Sequence, residues 1–443
     1  MKKETISLLI PIIMFLFIHL YRISLNPWIG WDESVYLGMG KYIATTGDSG
    51  LWEGLRPPLL PLFLSLLWII TPDNLFVSGH ILVLIFSVTC LYMTYILGNH
   101  FFDRKTAILS VLILCVTPVF FILSTSILTG IGSTSLALIG IYFYTKKRYM
   151  FSGFFLTLSS LMRFPQILTA TAILLLICRK RSELRRFLFG CFPFLIYLLL
   201  NTAVYGNPFQ PMFDAINDMY SEYVWLYEHD LFFYLYSIPL QNMFFIFSLP
   251  WFPLKFRERN KIKFCPLILP LLFLFIFFTL LAHKEIRFSI VMLPYLSLIS
   301  ADGFFELVSR LRLKQLSFIA LLLLIYPVFL IADNLAPYYM EENFLSNCNI
   351  GNGTVLSSIP YPVKYIDNKL IGFYSVNKMD EVYEKFKGRV TYIIFTNASF
   401  PCNTEECKIK VSNFFEKMKS ENRLICKGKI LDNQMFYVFR TKK

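Results

Sequence analysis

Charge is what this chain has least of. Of its 443 residues only 16% are Asp, Glu, Lys or Arg, against 56% hydrophobic, whereas soluble globular domains carry about a quarter charged residues. That shortage excludes a water-soluble globular protein and leaves the membrane class. The short alternating segments of about 10 residues that mark a membrane β-barrel are missing, which narrows the class to a helix bundle. Histidine is scarce as well: His19, His80, His100, His229 and His283 show no His-Glu-x-x-His or comparable spacing, and no Cys-x-x-Cys pair occurs. Zinc chemistry therefore has no ligand set. A Gly-rich phosphate loop is absent, which argues against a nucleotide donor. The apolar segment 6–20 lacks a small-residue cleavage site, so it reads as a retained first span.

The charges that are present lie in short connections between apolar runs. The net charge is +13, and Lys146-Lys147-Arg148, Arg179-Lys180-Arg181 with Arg185-Arg186, the stretch 255–263 and the stretch 310–314 each separate two such runs. This is the positive-inside pattern, and it makes nucleic acid an unnecessary partner. With every basic cluster cytoplasmic, the spans are 6–21, 76–97, 106–123, 127–145, 150–162, 165–178, 187–205, 232–253, 264–282, 288–303 and 315–332. The rule gives about 11 transmembrane helices, from a cytoplasmic N-terminus to an extracytoplasmic finish, as expected of a multi-pass cell-membrane protein. The apolar stretch 57–70 begins with Pro57-Pro58 and does not fit as a crossing, because every later loop would then invert. At about 14 residues it is expected as an interfacial helix at the outer face.

From Asp333 the composition turns polar and the apolar runs shorten to strand length. The chain thus divides into a transmembrane part, 1–332, and an extracytoplasmic α/β domain, 333–443. Strands are expected at 355–359, 370–376, 390–396, 423–427 and 435–440, with a helix at 404–419 capped by Asn403 and Glu406. Two glycosylation sequons, Asn352-Gly353-Thr354 and Asn397-Ala398-Ser399, and four of nine cysteines, Cys348, Cys402, Cys407 and Cys426, fall in this domain. Both features suit an oxidising outer compartment, with the cysteine connectivity open. The remaining cysteines lie in apolar runs and read as small buried hydrophobes.

The outer loops concentrate the polar chemistry. The first, 22–57, reads Trp28-Ile29-Gly30-Trp31-Asp32-Glu33-Ser34, then a Gly-rich turn and Arg56-Pro57-Pro58. A carboxylate among interfacial aromatics is partly desolvated and suited to act as a base or ligand. The competing structural reading makes Asp32 the cap of a helix starting at Glu33. No metal site is called, though a divalent cation at Asp32 and Glu33 stays open. A second loop crowds four ionisable groups into His283-Lys284-Glu285-Ile286-Arg287-Phe288. Its cations run against the positive-inside bias, which suits phosphate or simply lipid head groups. Arg163, in Leu161-Met162-Arg163-Phe164-Pro165, falls at a helix junction where pairing with an acid, phosphate binding and snorkelling all remain open. The loop 206–231 adds Asp214, Asp218, Glu222, Glu228, His229 and many aromatics that suit sugar stacking or an interfacial belt.

These residues together resemble the GT-C superfamily of membrane glycosyltransferases. The Trp-Asp-Glu loop after the first span and the Arg56-Pro57-Pro58-Leu59 anchor look like the protein O-mannosyltransferase and aminoarabinose transferase branch. The segment His283 to Phe288 is similar to the His-Lys-Glu-Glu-Arg-Phe motif of dolichyl-phosphate-mannose-dependent mannosyltransferases, with Ile286 in place of the second Glu. The resemblance covers about three quarters of the chain and leaves the C-terminal domain unassigned. It implies an inverting transfer of a hexose, mannose first, from a polyprenyl-phosphate sugar to a hydroxyl of a glycan, glycolipid or protein. Asp32 would then be the general base and Glu33 its orienting neighbour, while Arg56, His283, Lys284, Arg287 and, more weakly, Arg163 would receive the donor phosphate. The rival class is a transporter or flippase, which predicts ionisable groups near the bilayer midplane and repeated halves. Here the charges gather in loops and no repeat is visible.

Overall fold

The computed structural model describes residues 3–27, 29–220, 223–256, 261–311, 323–331, 344–430 and 434–442. Trp28, Glu222, residues 257–260 of the basic connection 255–263, the end of the 310–314 cluster, much of the span 315–332 and the start of the C-terminal domain lie outside those residues. The chain divides into two compact units, 1–25 with 55–59 and 80–338, and 26–54 with 60–79 and 339–443.

The first unit is helical. Helices at Lys3–Ser24, Thr129–Thr145, Tyr149–Met162, Phe192–Tyr205 and Cys265–Leu280 occupy expected spans. Others come in pieces, with breaks at proline or at a capping residue. Arg104–Val116 is followed by Pro118–Leu123, and the 3-10 turn Phe164–Gln166, with Pro165 in its first turn, precedes Ile167–Ile177. The span 232–253 consists of Phe233–Gln241, the 3-10 segment Met243–Phe247 and Ser248–Phe256. Proline donates no amide hydrogen and restrains the residue before it, so it fits best at a helix start, although Pro11 and Pro270 lie inside helices here. Among the described residues one helical stretch, Pro72–Phe101, is by itself long and apolar enough to cross a membrane, and the bent pair Arg181–Gly190 and Phe192–Tyr205 qualifies jointly.

Two buried polar side chains of this unit show how such groups are met inside it. His19 bonds the carbonyls of Phe15 and Phe121 at 2.8 and 2.9 Å, and Asn242 donates to Ile113 and Thr117 at 3.2 and 3.1 Å. Large apolar side chains nevertheless stand exposed, among them Phe17, Phe189, Val204 and Leu280. In water, apolar area costs about 25 cal/mol per Å², so such helices suit a hydrocarbon surrounding.

The second unit is built on a five-stranded sheet ordered β2-β1-β3-β5-β4, with β1 Val355–Ser357, β2 Leu370–Gly372, β3 Tyr392–Thr396, β4 Asn422–Lys429 and β5 Met435–Thr441. The first three strands are parallel and the last two antiparallel to their neighbours. Strand β3 is buried along its whole length, as a central strand covered on both faces should be. All five expected strands exist. The second ends at Gly372 instead of 376, and a helix at Met379–Phe386 joins the expected one, Glu405–Glu421. The cap of the latter is corrected: Thr404, not Asn403, accepts the Cys407 amide, at 3.2 Å.

The four cysteines of this domain pair as Cys348–Cys426 and Cys402–Cys407. Among the others, Cys90 and Cys115 are buried as expected, while Cys178 is exposed.

This unit also contains the helix Trp31–Ala44. Two glycines let it pack closely: a Cβ at Gly38 would lie 2.7 Å from Leu51 Cγ, and one at Gly40 would lie 2.7 Å from Leu64 Cβ. Proline-led, the expected interfacial stretch forms a helix at Leu59–Ile70.

Candidate active site

The acidic pair lies in the first turn of the helix Trp31–Ala44, where negative charge is favoured by the unpaired amides and the helix dipole. The competing reading, Asp32 as the cap of a helix starting at Glu33, is not what the structure shows: the helix starts at Trp31. Gly30 holds the capping position in extended conformation, and Glu33 turns back so that its Oε2 accepts the Gly30 amide at 2.7 Å. This is the reciprocal half of a capping box, with the Ser34 hydroxyl donating to Gly30 O at 2.9 Å. The two acids therefore differ in role. Glu33 is buried and shapes the helix entry, while Asp32, partly exposed, is not the cap.

Trp31 beside them packs edge-on against Tyr374 at 4.9 Å and Tyr361 at 6.0 Å. Farther along the helix Lys41 is buried. Its ammonium reaches Asp367 Oδ1 at 2.6 Å, the carbonyl of Val363 at 2.7 Å and the face of Trp68 at 4.8 Å. Burial pulls the Lys41 pKa down against the pull of Asp367.

In the helical unit, the segment His283 to Phe288 is organised by Glu285. This carboxylate accepts from His283 Nε2 at 2.7 Å and holds Arg287 through Nε at 2.6 Å and Nη2 at 2.7 Å. Burial opposes its ionisation, but the His283 bond and the Arg287 charge outweigh burial and hold the carboxyl below its ordinary range.

The loop 206–231 clasps the same segment. Glu228 and His283 form an antiparallel bridge, Lys284 donates its amide to Tyr227 O at 2.9 Å and its ammonium to His229 O at 3.0 Å, and Tyr227 stacks on His283 at 4.2 Å with planes 3° apart. Arg163 and Arg287 both lie over the Phe288 ring, at 5.2 and 5.6 Å. Arg163 reaches Thr129 Oγ1 at 3.5 Å. Arg56 occupies the turn before Leu59 and is partly buried.

Of the expected phosphate-binding residues, His283 and Arg287 are thus joined through Glu285, with Lys284 between them in sequence and Arg163 sharing Phe288. Arg56 belongs to the same unit, and Asp32 and Glu33 to the other. Sequence reasoning missed Glu285 as the organiser, although its position two residues from both His283 and Arg287 was the available signal. Among the described residues no group of three or more His, Cys, Asp or Glu side chains is gathered as a metal would require.

No family model and no curated protein sequence matches the chain. Solved structures do. ArnT from Cupriavidus metallidurans bound to undecaprenyl phosphate superposes with a TM-score of 0.66 over 98% of this chain and 97% of that one, at 8% identity. The chain has the fold of this ArnT structure. The archaeal oligosaccharyltransferase AglB from Archaeoglobus fulgidus, in complex with an inhibitory peptide and a dolichol-phosphate, gives a TM-score of 0.60 at 12% identity over 97% of this chain and 74% of that one. The same enzyme tethered to an acceptor peptide containing the NVT sequon gives 0.61 at 13% identity, over 100% of this chain and 74% of that one. The GT-C resemblance drawn from the acidic loop and the basic motif therefore extends to the C-terminal domain, which the sequence left unassigned.

Proposed function

We propose that this protein is a multi-pass membrane glycosyltransferase that moves a hexose, mannose first, from a polyprenyl-phosphate carrier to an acceptor hydroxyl at the outer membrane face. The observation that carries the reading is the likeness to ArnT along nearly the full length of both chains, in a structure that holds undecaprenyl phosphate. Dolichol-phosphate in the AglB structure supports the same carrier class. In this reading Asp32 accepts the proton of the acceptor hydroxyl as its oxygen bonds to the anomeric carbon. The bond from that carbon to the donor phosphate oxygen breaks with inversion, and its electron pair leaves on the lipid phosphate. Arg56, Lys284 and Arg287 neutralise that phosphate, His283 adds a hydrogen bond, and Arg163 contributes charge nearby. Glu33 holds the first helical turn that carries Asp32.

Purified protein in lipid, given radiolabelled polyprenyl-phosphate hexoses with glycan, glycolipid and peptide acceptors, tests the reading. Transfer with inversion supports it, and no transfer from any such donor refutes it. The cytoplasmic N-terminus and outer C-terminal domain are tested by cysteine labelling at positions 32, 147 and 284. Label reaching 32 and 284 but not 147 from outside is the expected pattern, and outside labelling of 147 overturns the topology.

A further inference from the structure

Resting on that functional reading, we infer that Lys41 and Asp367 are positioning residues: the C-terminal domain holds the helix that carries Asp32, so acceptor activation depends on a contact 326 residues away in sequence.

Four separate contacts make the case, all inside the unit that contains both segments. At the start of the helix, Trp31 meets Tyr374 and Tyr361. In its middle, Gly38 packs so closely that an added Cβ would lie 3.1 Å from Val363 Cγ2. Near its end, Lys41 donates to Val363 O, Ile366 O and Asp367 Oδ1. Beyond it, Gly50 extends the sheet edge, its amide donating to Asn368 O at 3.0 Å and its carbonyl accepting the Leu370 amide at 2.7 Å. A helix gripped at both ends and along one face has little freedom to tilt.

Among these contacts the lysine stands out physically. A lysine only 5% exposed is costly to bury unless each ammonium donor is met, and here two carbonyls and a carboxylate meet them. A neutral hydrophobic residue would fill that volume at lower cost, so the charge is a device for fixing register more than for adding stability. Asp367 keeps its side chain 69% exposed, which leaves it replaceable without opening the core.

The test compares Lys41→Met, Lys41→Arg and Asp367→Asn in the full-length protein by hydrogen–deuterium exchange and by transfer kinetics. In Lys41→Met, exchange over 31–44 accelerates, and kcat falls about tenfold or more, since a misplacement near 1 Å costs up to about 100-fold, while donor KM stays within about twofold. Lys41→Arg recovers most of that loss, and Asp367→Asn gives a smaller fall in the same direction with unchanged melting temperature. Wild-type exchange in both Lys41→Met and Asp367→Asn, or donor KM rising in step with the fall in kcat, overturns the inference. The exchange result stands apart from activity: if the wild type transfers no sugar, the functional reading fails while the anchoring is still decided.

Discussion

Glu285 binds Arg287 through two nitrogens, at 2.6 and 2.7 Å, and the same carboxylate takes His283 at 2.7 Å. A single acid thus fixes the imidazole and the guanidinium of one loop in a set relative geometry. Arg presents its planar fork most effectively when such a partner limits its rotamers.

Replacing that acid without changing its size releases both His283 and Arg287. Glu285→Gln is expected to raise the donor KM and lower kcat/KM about 10- to 100-fold, matching about 1.5–3 kcal/mol for charge-assisted bonds. Steady-state kinetics with a polyprenyl-phosphate hexose measures it. Unchanged donor KM means that the loop does not receive the phosphate.

Lys284 is buried, with its ammonium on the His229 carbonyl at 3.0 Å and two further donor positions on the same nitrogen. Lys284→Met keeps the apolar stem and removes the charge. Donor binding is expected to weaken about tenfold or more with little loss of folding, checked by binding of undecaprenyl phosphate and by melting in the same lipid.

The Glu285 carboxyl is held below its ordinary 4.5. A depressed folded-state value contributes stability that is present above the unfolded value and is lost as pH falls through the folded one. The melting-temperature gap between wild type and Glu285→Gln is therefore expected to be constant from neutral pH to about 5 and to shrink below 4.5. A gap independent of pH down to 3 contradicts the ion pairing.

The bridge Cys348–Cys426 closes a separation of 78 residues and Cys402–Cys407 one of 5. Chain entropy assigns about 4 kcal/mol to the longer and about 2 kcal/mol to the shorter. Serine pairs at 348 and 426 are expected to lower the thermal stability of the C-terminal domain more than serines at 402 and 407, as read by differential scanning fluorimetry.

What the sequence revealed follows what is local. Strand β3 was legible because Tyr392-Ile393-Ile394-Phe395 is an apolar run bounded by polar residues, while charge scarcity gave the membrane class and the missing alternation the helical one. The stretch Phe373 to Val376 read as strand by composition, but Gly372 ends the pairing with β1. Breaks inside the expected spans sit at Pro118, Pro165 and Asn242, each readable in principle from proline or capping chemistry.

The remainder depends on topology. Nothing about Lys41 in an apolar helix names Asp367, and nothing in Lys284 names the His229 carbonyl, because such pairs exist only once the chain has folded. The alternative of Asp32 as a cap stayed open in the sequence for a smaller reason. Gly30, lacking a side chain, gave no sign that it would take the capping position while Glu33 supplied the return bond.

The central claim is that Asp32 deprotonates the acceptor. The direct measurement is transfer of labelled hexose from polyprenyl phosphate by Asp32→Asn, which keeps the shape of the side chain and removes its basicity. A loss of kcat of at least about 100-fold with donor KM near wild type is the predicted result, in the range expected for a missing general base. Wild-type kcat in that variant contradicts it.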